Sequence, residues 1–377
     1  MRWSLVAAIA SVTGFGLGIG QFAPLMSLLL DAHGTSPLLN GLNAASAFIG
    51  VLVGPLLTPR AVRMLGLRSF LLLCFAIEIA TTLLMKEFES LGAWFVLRAL
   101  SGLFGSSIFT ASEAWINMLA EGSGRGRVIG LYVAFLSAGF GIGPLLLSVT
   151  GIAGWPPFLA NVAILIIAAL PLLRVGSATR ALGREQASNP LAMFAREPLI
   201  VLTVALFGLY EATAMALLPI WGVRLGFSPT LAATTLSALY LGSVVLQLPV
   251  GWLSDKTARL TMLRVCGVAG LVGAVGIAAF ATPSARLLPV VAVWGGIVTG
   301  IYPVSLSMAG DRFRGGELVA ANAAIIMAYG LGALVGPGLG GAAMDLAGPR
   351  GLFWFFAALF CVFLAATAMA RQGGRPK

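Results

Sequence analysis

The chain has 377 residues, of which 59% are apolar and only 10% charged, and its formal net charge is +10. A soluble chain would carry about 25% charged residues to cover its surface, so hydrocarbon and not water must face most of this one. Several soluble domains are thereby excluded, and the lack of strand alternation speaks against an outer-membrane barrel.

A spanning helix takes about 20 apolar residues, and twelve such runs lie between charged or Gly/Pro-rich breaks. The first six cover 4–30, 38–57, 69–85, 91–119, 128–149 and 157–173. A polar stretch over 174–197 follows, and then come 198–221, 230–253, 260–281, 287–309, 318–343 and 352–370. The first run is too long for a signal peptide, carries Gln21 and Pro24, and precedes eleven others. The expected fold is therefore all-α and membrane-integral, with a six-helix bundle over 1–173, a linker over 174–197 and a second six-helix bundle over 198–377.

The basic residues follow this topology. If the amino terminus is cytoplasmic, eighteen of the 23 Lys and Arg fall on the cytoplasmic side, four (Lys86, Arg224, Arg286 and Arg350) fall outside, and Arg98 lies within a helix. That bias is the positive-inside pattern and predicts both termini in the cytoplasm. The excess charge thus encodes orientation, and no clustered basic face with interleaved aromatics points to nucleic acid. The three cysteines, Cys74, Cys266 and Cys361, are scattered through the runs without CxxC spacing, so neither a disulfide framework nor a metal site is expected.

The two halves resemble each other. Val53-Gly54-Pro55-Leu56 and Val250-Gly251-Trp252-Leu253 stand 197 positions apart, while Gly139-Phe-Gly-Ile-Gly143-Pro144 and Gly332-Ala-Leu-Val-Gly336-Pro337 stand 193 apart. Duplicated bundles with helices interrupted at matching places mark a secondary transporter. Small residues at i and i+4 allow close helix approach in lipid, and Pro144 and Pro337 beside them supply candidate hinges. Static tight packing is the plainer account of any single glycine.

These segments also carry a family resemblance. Gly251-Trp-Leu253-Ser-Asp255-Lys256-Thr-Ala-Arg259 resembles the G-x-L-x-D-R/K-x-G-R/K loop of the major facilitator superfamily, with Ala258 in place of the second glycine. The first-half copy, Gly54-Pro-Leu56-Leu-Thr58-Pro-Arg60, has Thr58 where the acid would stand. Arg98-Ala-Leu-Ser-Gly102 resembles the family's R-x-x-x-G element, and Gly130, Gly139 and Gly143-Pro144 resemble the motif of its proton-coupled drug antiporters. Glu113-Ala-Trp115-Ile-Asn117 with Gly126-Arg127 resembles a bacterial sugar- or drug-transporter-like branch. The resemblance implies two pseudo-symmetric bundles, a gating ion pair Asp255–Arg259, and a central path lined by the first, fourth, seventh and tenth helices.

Four ionisable residues lie deep in the runs: Glu78, Arg98, Glu113 and Glu211. Each is costly in hydrocarbon unless it meets a cavity or a partner. Counting from the run ends puts Arg98, Glu78 and Glu211 at similar depth. Glu113 stands fifteen positions past Arg98, about 22 Å along the helix, and cannot pair with it. Arg98 suits an anionic or hydroxylated substrate, Glu211 suits a coupling proton, and Glu78 is expected to pair with Arg98 or a backbone group. Glu113 and Asn117 form a candidate polar clasp. Gln21, Tyr210, Trp294 and Tyr302 complete the candidate substrate site, since aromatic rings stack and hydrogen-bond from apolar walls.

No G-x-x-x-x-G-K-[ST] loop, H-E-x-x-H or G-x-S-x-G is present. The sequence therefore predicts no enzyme, cofactor or metal, but a monomeric proton-coupled exporter of a small molecule in a bacterial cytoplasmic membrane. Uptake of a sugar or organic anion is the alternative, favoured if Arg98 binds substrate. A membrane sensor or scaffold is the non-transport alternative.

Overall fold

The computed structural model describes residues 2–119, 125–175, 194–313 and 315–369. Among them all regular structure is helical. The first six spans are α1 (Arg2–Ala32), α2 (Pro37–Leu65), α3 (Leu67–Glu87), α4 (Leu91–Leu119), α5 (Arg125–Ile142) and α6 (Pro156–Ala169). The next six are α7 (Pro198–Leu225), α8 (Pro229–Lys256), α9 (Arg259–Phe280), α10 in two pieces (Leu287–Val298 and Ile301–Arg312), α11 (Gly315–Ala347) and α12 (Gly351–Met369). Eleven spans are long and apolar enough to cross a membrane, and the fifth contributes a shorter apolar helix, Ala134–Thr150. The twelve-helix expectation holds, and most helices run several residues beyond the apolar runs.

Local chemistry sets the boundaries. Ser36 and Ser228 cap α2 and α8 by accepting from Leu39 N and Leu231 N, each at 3.3 Å, and each is followed by a proline in the first turn. One residue, Gly66, joins α2 to α3 at φ 78°, a conformation that a Cβ would strain. Three spans are irregular, the sixth only at its end, where α6 passes into a 3-10 turn over Leu170–Arg174. A 3-10 turn, Gly143–Leu146, separates α5 from the short helix Leu147–Thr150. In α10 the chain tightens at Thr299–Gly300, where Gly300 N donates to Ile297 O at 3.1 Å. By contrast α11 carries Pro337 without a break, so only the first of the two matching Gly-Pro elements interrupts its helix.

Apolar burial drives little association in lipid, where close packing must do so, and the glycines allow it. A Cβ on Gly102 would overlap Ala47 of α2, and one on Gly50 would overlap Ala99 of α4. In the second half, Gly242 meets Ala292 of α10 in the same way, 192 positions after Gly50. Gly143 packs on the α1 backbone at Gly20–Gln21, and its counterpart Gly336 packs on Leu209 of α7. One buried cluster fills each half, and a third, with Leu25, Leu28, Leu147 and Ala233, joins both. The face where α1 begins and α12 ends carries Arg60, Arg63, Arg68, Lys256, Arg259 and Arg312, and is here named the basic face; the other is the far face.

Candidate functional site

Glu211 lies at the middle of α7, fourteen residues before its end at Leu225, or about 21 Å from that end. Its Oε2 accepts a hydrogen bond from the Tyr329 hydroxyl of α11 at 3.0 Å, and the side chain is half-buried. Tyr302, on the first turn of the second α10 piece, packs edge-on to Tyr329 with centroids 6.1 Å apart, and both rings touch Phe207. The contact exists because Gly208, Gly332 and Gly336 let α7 and α11 approach backbone to backbone. Gly330, beside Tyr329, faces Leu52 of α2 in the other half. Nearby, Phe140 of α5 stacks on Tyr240 of α8 across the halves at 5.5 Å. Glu211 therefore stands among aromatic and hydroxyl groups where the two halves meet.

Arg98 occupies a different place. It lies seven residues from the start of α4 at Leu91, about 10 Å from the far-face end. Arg98 and Glu211 are thus not at the same level; the apolar run ending at 221 had understated the length of α7. Arg98 is 8% exposed, and its Nη1 donates to Asn43 Oδ1 of α2 at 3.3 Å, inside the first half. Glu78 is buried in that half too, but its Oε2 accepts from Ser101 Oγ of α4 at 2.8 Å. Of the two partners expected for Glu78, Arg98 makes no ion pair with it among the described residues, whereas the backbone alternative is met at Gly105, beside the Ser101 hydroxyl. Gly105 faces the same carboxylate: a Cβ there would stand 3.1 Å from Glu78 Oε1.

Three expected site residues point elsewhere. Gln21 is fully buried and donates to Pro157 O of α6 at 2.8 Å. Tyr210 is 1% exposed and packs edge-on to Trp294 at 5.5 Å and Phe356 at 5.2 Å. Trp294 in turn donates to Gly270 O of α9 at 3.0 Å. Consecutive helix residues diverge by about 100°, so Tyr210 enters the core of its own half while Glu211 faces α11. Tyr302 alone of the four joins the constellation. Tyr329 was missed; its only signal was a hydroxyl-bearing ring in an apolar run.

On the basic-face side, Tyr132 donates to Glu113 Oε1 at 3.4 Å, linking α5 to α4. Asn117, its expected partner, has a side chain outside the described residues. Asp255 and Arg259 do pair, at 2.9 Å, and Arg259 also reaches Ser254 Oγ at 2.8 Å and Asp311 at 3.2 Å. All four residues belong to the second half, so this cluster braces α8, α9 and α10 against one another. Among the described residues, no group of His, Cys, Asp and Glu is arranged to hold a metal ion.

Comparison with known proteins covers the whole chain. The family model described as Major Facilitator Superfamily matches residues 5–300 and 200–377. An uncharacterized MFS-type transporter of Bacillus subtilis (strain 168), YfkF, is 24% identical over 99% of this chain and 95% of its own length. An uncharacterized MFS-type transporter of Yersinia pseudotuberculosis is 26% identical over 93% of this chain and 91% of its own. Among solved structures, the nucleoside transporter NupG superposes with a TM-score of 0.82 at 14% identity, over 98% of both chains. A bacterial homologue of the human lysosomal transporter Spinster, in an inward-facing conformation, gives 0.74 at 17% identity over 97% of this chain and 95% of its own. At these identities the two structures speak for the fold alone.

Proposed function

Because the chain belongs to the major facilitator superfamily, we propose that it is a proton-coupled secondary transporter that exports a small molecule by alternating access, with Glu211 as its proton site. The observation that carries this reading is the half-buried Glu211 carboxylate at mid-helix, held by the neutral hydroxyl of Tyr329. An ionisable group at that depth is expensive and marks a transport path by default. A hydroxyl can donate to a carboxylate or accept from a carboxylic acid, so Tyr329 supports both states of Glu211, where a cation would hold it charged. Tyr302 and Tyr329 then offer stacking and hydrogen-bonding surface to the cargo.

The moving parts are the bundles over 1–173 and 198–377, joined through 174–197, with Gly143-Pro144 and Gly336-Pro337 at the seams where they turn. The positive-inside pattern supports an orientation with the basic face and both termini in the cytoplasm of a bacterial cell, the chain lying in the inner membrane. Export follows the helix-five motif. Uptake of an organic anion loses support from Arg98, whose guanidinium is hydrogen-bonded inside the first half.

The test starts from the purified protein. Thermal stabilisation by sugars, organic anions and drugs identifies a cargo, and an imposed pH gradient then drives its flux in proteoliposomes. Glu211→Gln is expected to abolish the response to the gradient and Glu211→Asp to retain part of it. An undiminished response in Glu211→Gln overturns the proton role, and stabilisation by no compound favours a sensor.

A further inference from the structure

Two polar contacts tie the halves together at the far face. Where α1 and α7 end, Arg224 of the second half binds Asp31 of the first, with Nη2 and Nε at 3.0 and 3.1 Å from Asp31 Oδ1. Where α2 begins and α11 ends, Leu38 N donates to Asp345 Oδ2 at 3.0 Å. The second contact answers a specific need. The first N–H groups of a helix have no acceptor within it. In α2, Ser36 serves Leu39 and Pro37 has no N–H, which leaves Leu38 to be satisfied from outside. The acceptor arrives from the other half, and its negative charge sits at the positive end of the α2 dipole.

The approach is built by small residues. Gly341, one turn before Asp345, has no side chain, and a Cβ there would overlap the Pro37 carbonyl. A turn further into each helix, Gly41 faces Pro337 O with the same closeness. The pseudo-symmetric seam lacks the charge. Ser228-Pro229 repeats Ser36-Pro37 at α8, but the position 193 residues before Asp345 is Ile152. That seam is closed by Leu147 and Ala233, buried in one cluster.

We propose that Asp345 is a gating residue: a cap on α2 supplied across the halves which, with the Asp31–Arg224 pair, latches the far face shut and must be released at the α2–α11 seam for that face to open. This rests on alternating access but not on proton coupling or on any cargo. The latch is one-sided, so the α2–α11 seam carries the electrostatic hold while the α5–α8 seam slides on apolar contacts.

The latch is tested by accessibility. In a background with Cys74, Cys266 and Cys361 replaced by alanine, Ala233→Cys places a thiol in the fully buried far-face cluster. A membrane-impermeant maleimide applied from the far face reads how often it opens. Asp345→Asn is expected to raise the labelling rate roughly five- to tenfold, as loss of a hydrogen bond to a charged group implies, and Asp345→Glu to return it toward the parent rate. Rates within twofold of the parent for a monodisperse Asp345→Asn protein overturn the proposal. If that variant is not recovered folded, the same comparison with Asp31→Asn decides, with the same threshold. The readout needs neither gradient nor cargo, so its failure and the failure of the Glu211 reading are distinguishable.

Discussion

Arg98 and Glu78 bury opposite charges in one half without touching, each held through a neutral side chain, Asn43 or Ser101. Removing the neutral partner leaves a desolvated charge, which costs more than the bond itself is worth. Ser101→Ala and Asn43→Ala are each expected to lower stability by about 1–3 kcal/mol, measured as thermal unfolding in detergent. A shift no larger than that of an exposed substitution would mean that water already serves these groups. Glu211 is the reverse case, since Tyr329→Phe removes its hydroxyl partner where the halves meet. That variant is expected to fold and to alter the pH profile of transport more than its maximal rate, a split that a purely structural role would not produce.

At the level of the helix, packing is decided by which glycines face a neighbour. Gly102→Leu and Gly332→Leu drive a side chain into the backbones at Ala47 and Ala205, so loss of monodisperse protein on size exclusion is expected for both. Gly276 faces open space, and Gly276→Ala is expected to be neutral or to stabilise by up to about 1 kcal/mol. The same contrast explains what was legible in the sequence. Hydropathy located every helix, because each must cross the same thickness of hydrocarbon. The ends were short because polar and charged residues such as Arg224 and Arg312 continue a helix past the apolar run. Glu211, Tyr302 and the Asp255–Arg259 pair were legible as unusual residues or motifs. The inward turn of Tyr210 and Gln21, and the service of Glu78 by Ser101, were not, because depth along a helix says nothing about rotation around it.

For the molecule as a whole, the two ends of the bundle are braced differently. At the basic face Arg259 gathers Ser254, Asp255 and Asp311 within the second half, while at the far face Arg224 and Asp345 reach across to the first. Partly exposed ion pairs add little to global stability, so Arg259→Ala is expected to change unfolding by less than about 1 kcal/mol, by the same thermal assay. One further feature governs how a seam can open. A single residue, Gly66, joins α2 to α3, and its N–H and C=O are both committed, to Val62 O at 2.9 Å and from Phe70 N at 3.0 Å. These bonds tie the amide to α2 and the carbonyl to α3, so the φ and ψ of one glycine are all that separates the two helices, and their basic-face ends stay together while the angle between them can change. A tilt of α2 away from α11 therefore pivots at Gly66, at the end of the molecule opposite the Leu38–Asp345 contact, so a small change of angle at one glycine is spread over the whole length of α2 before it reaches the far-face rim.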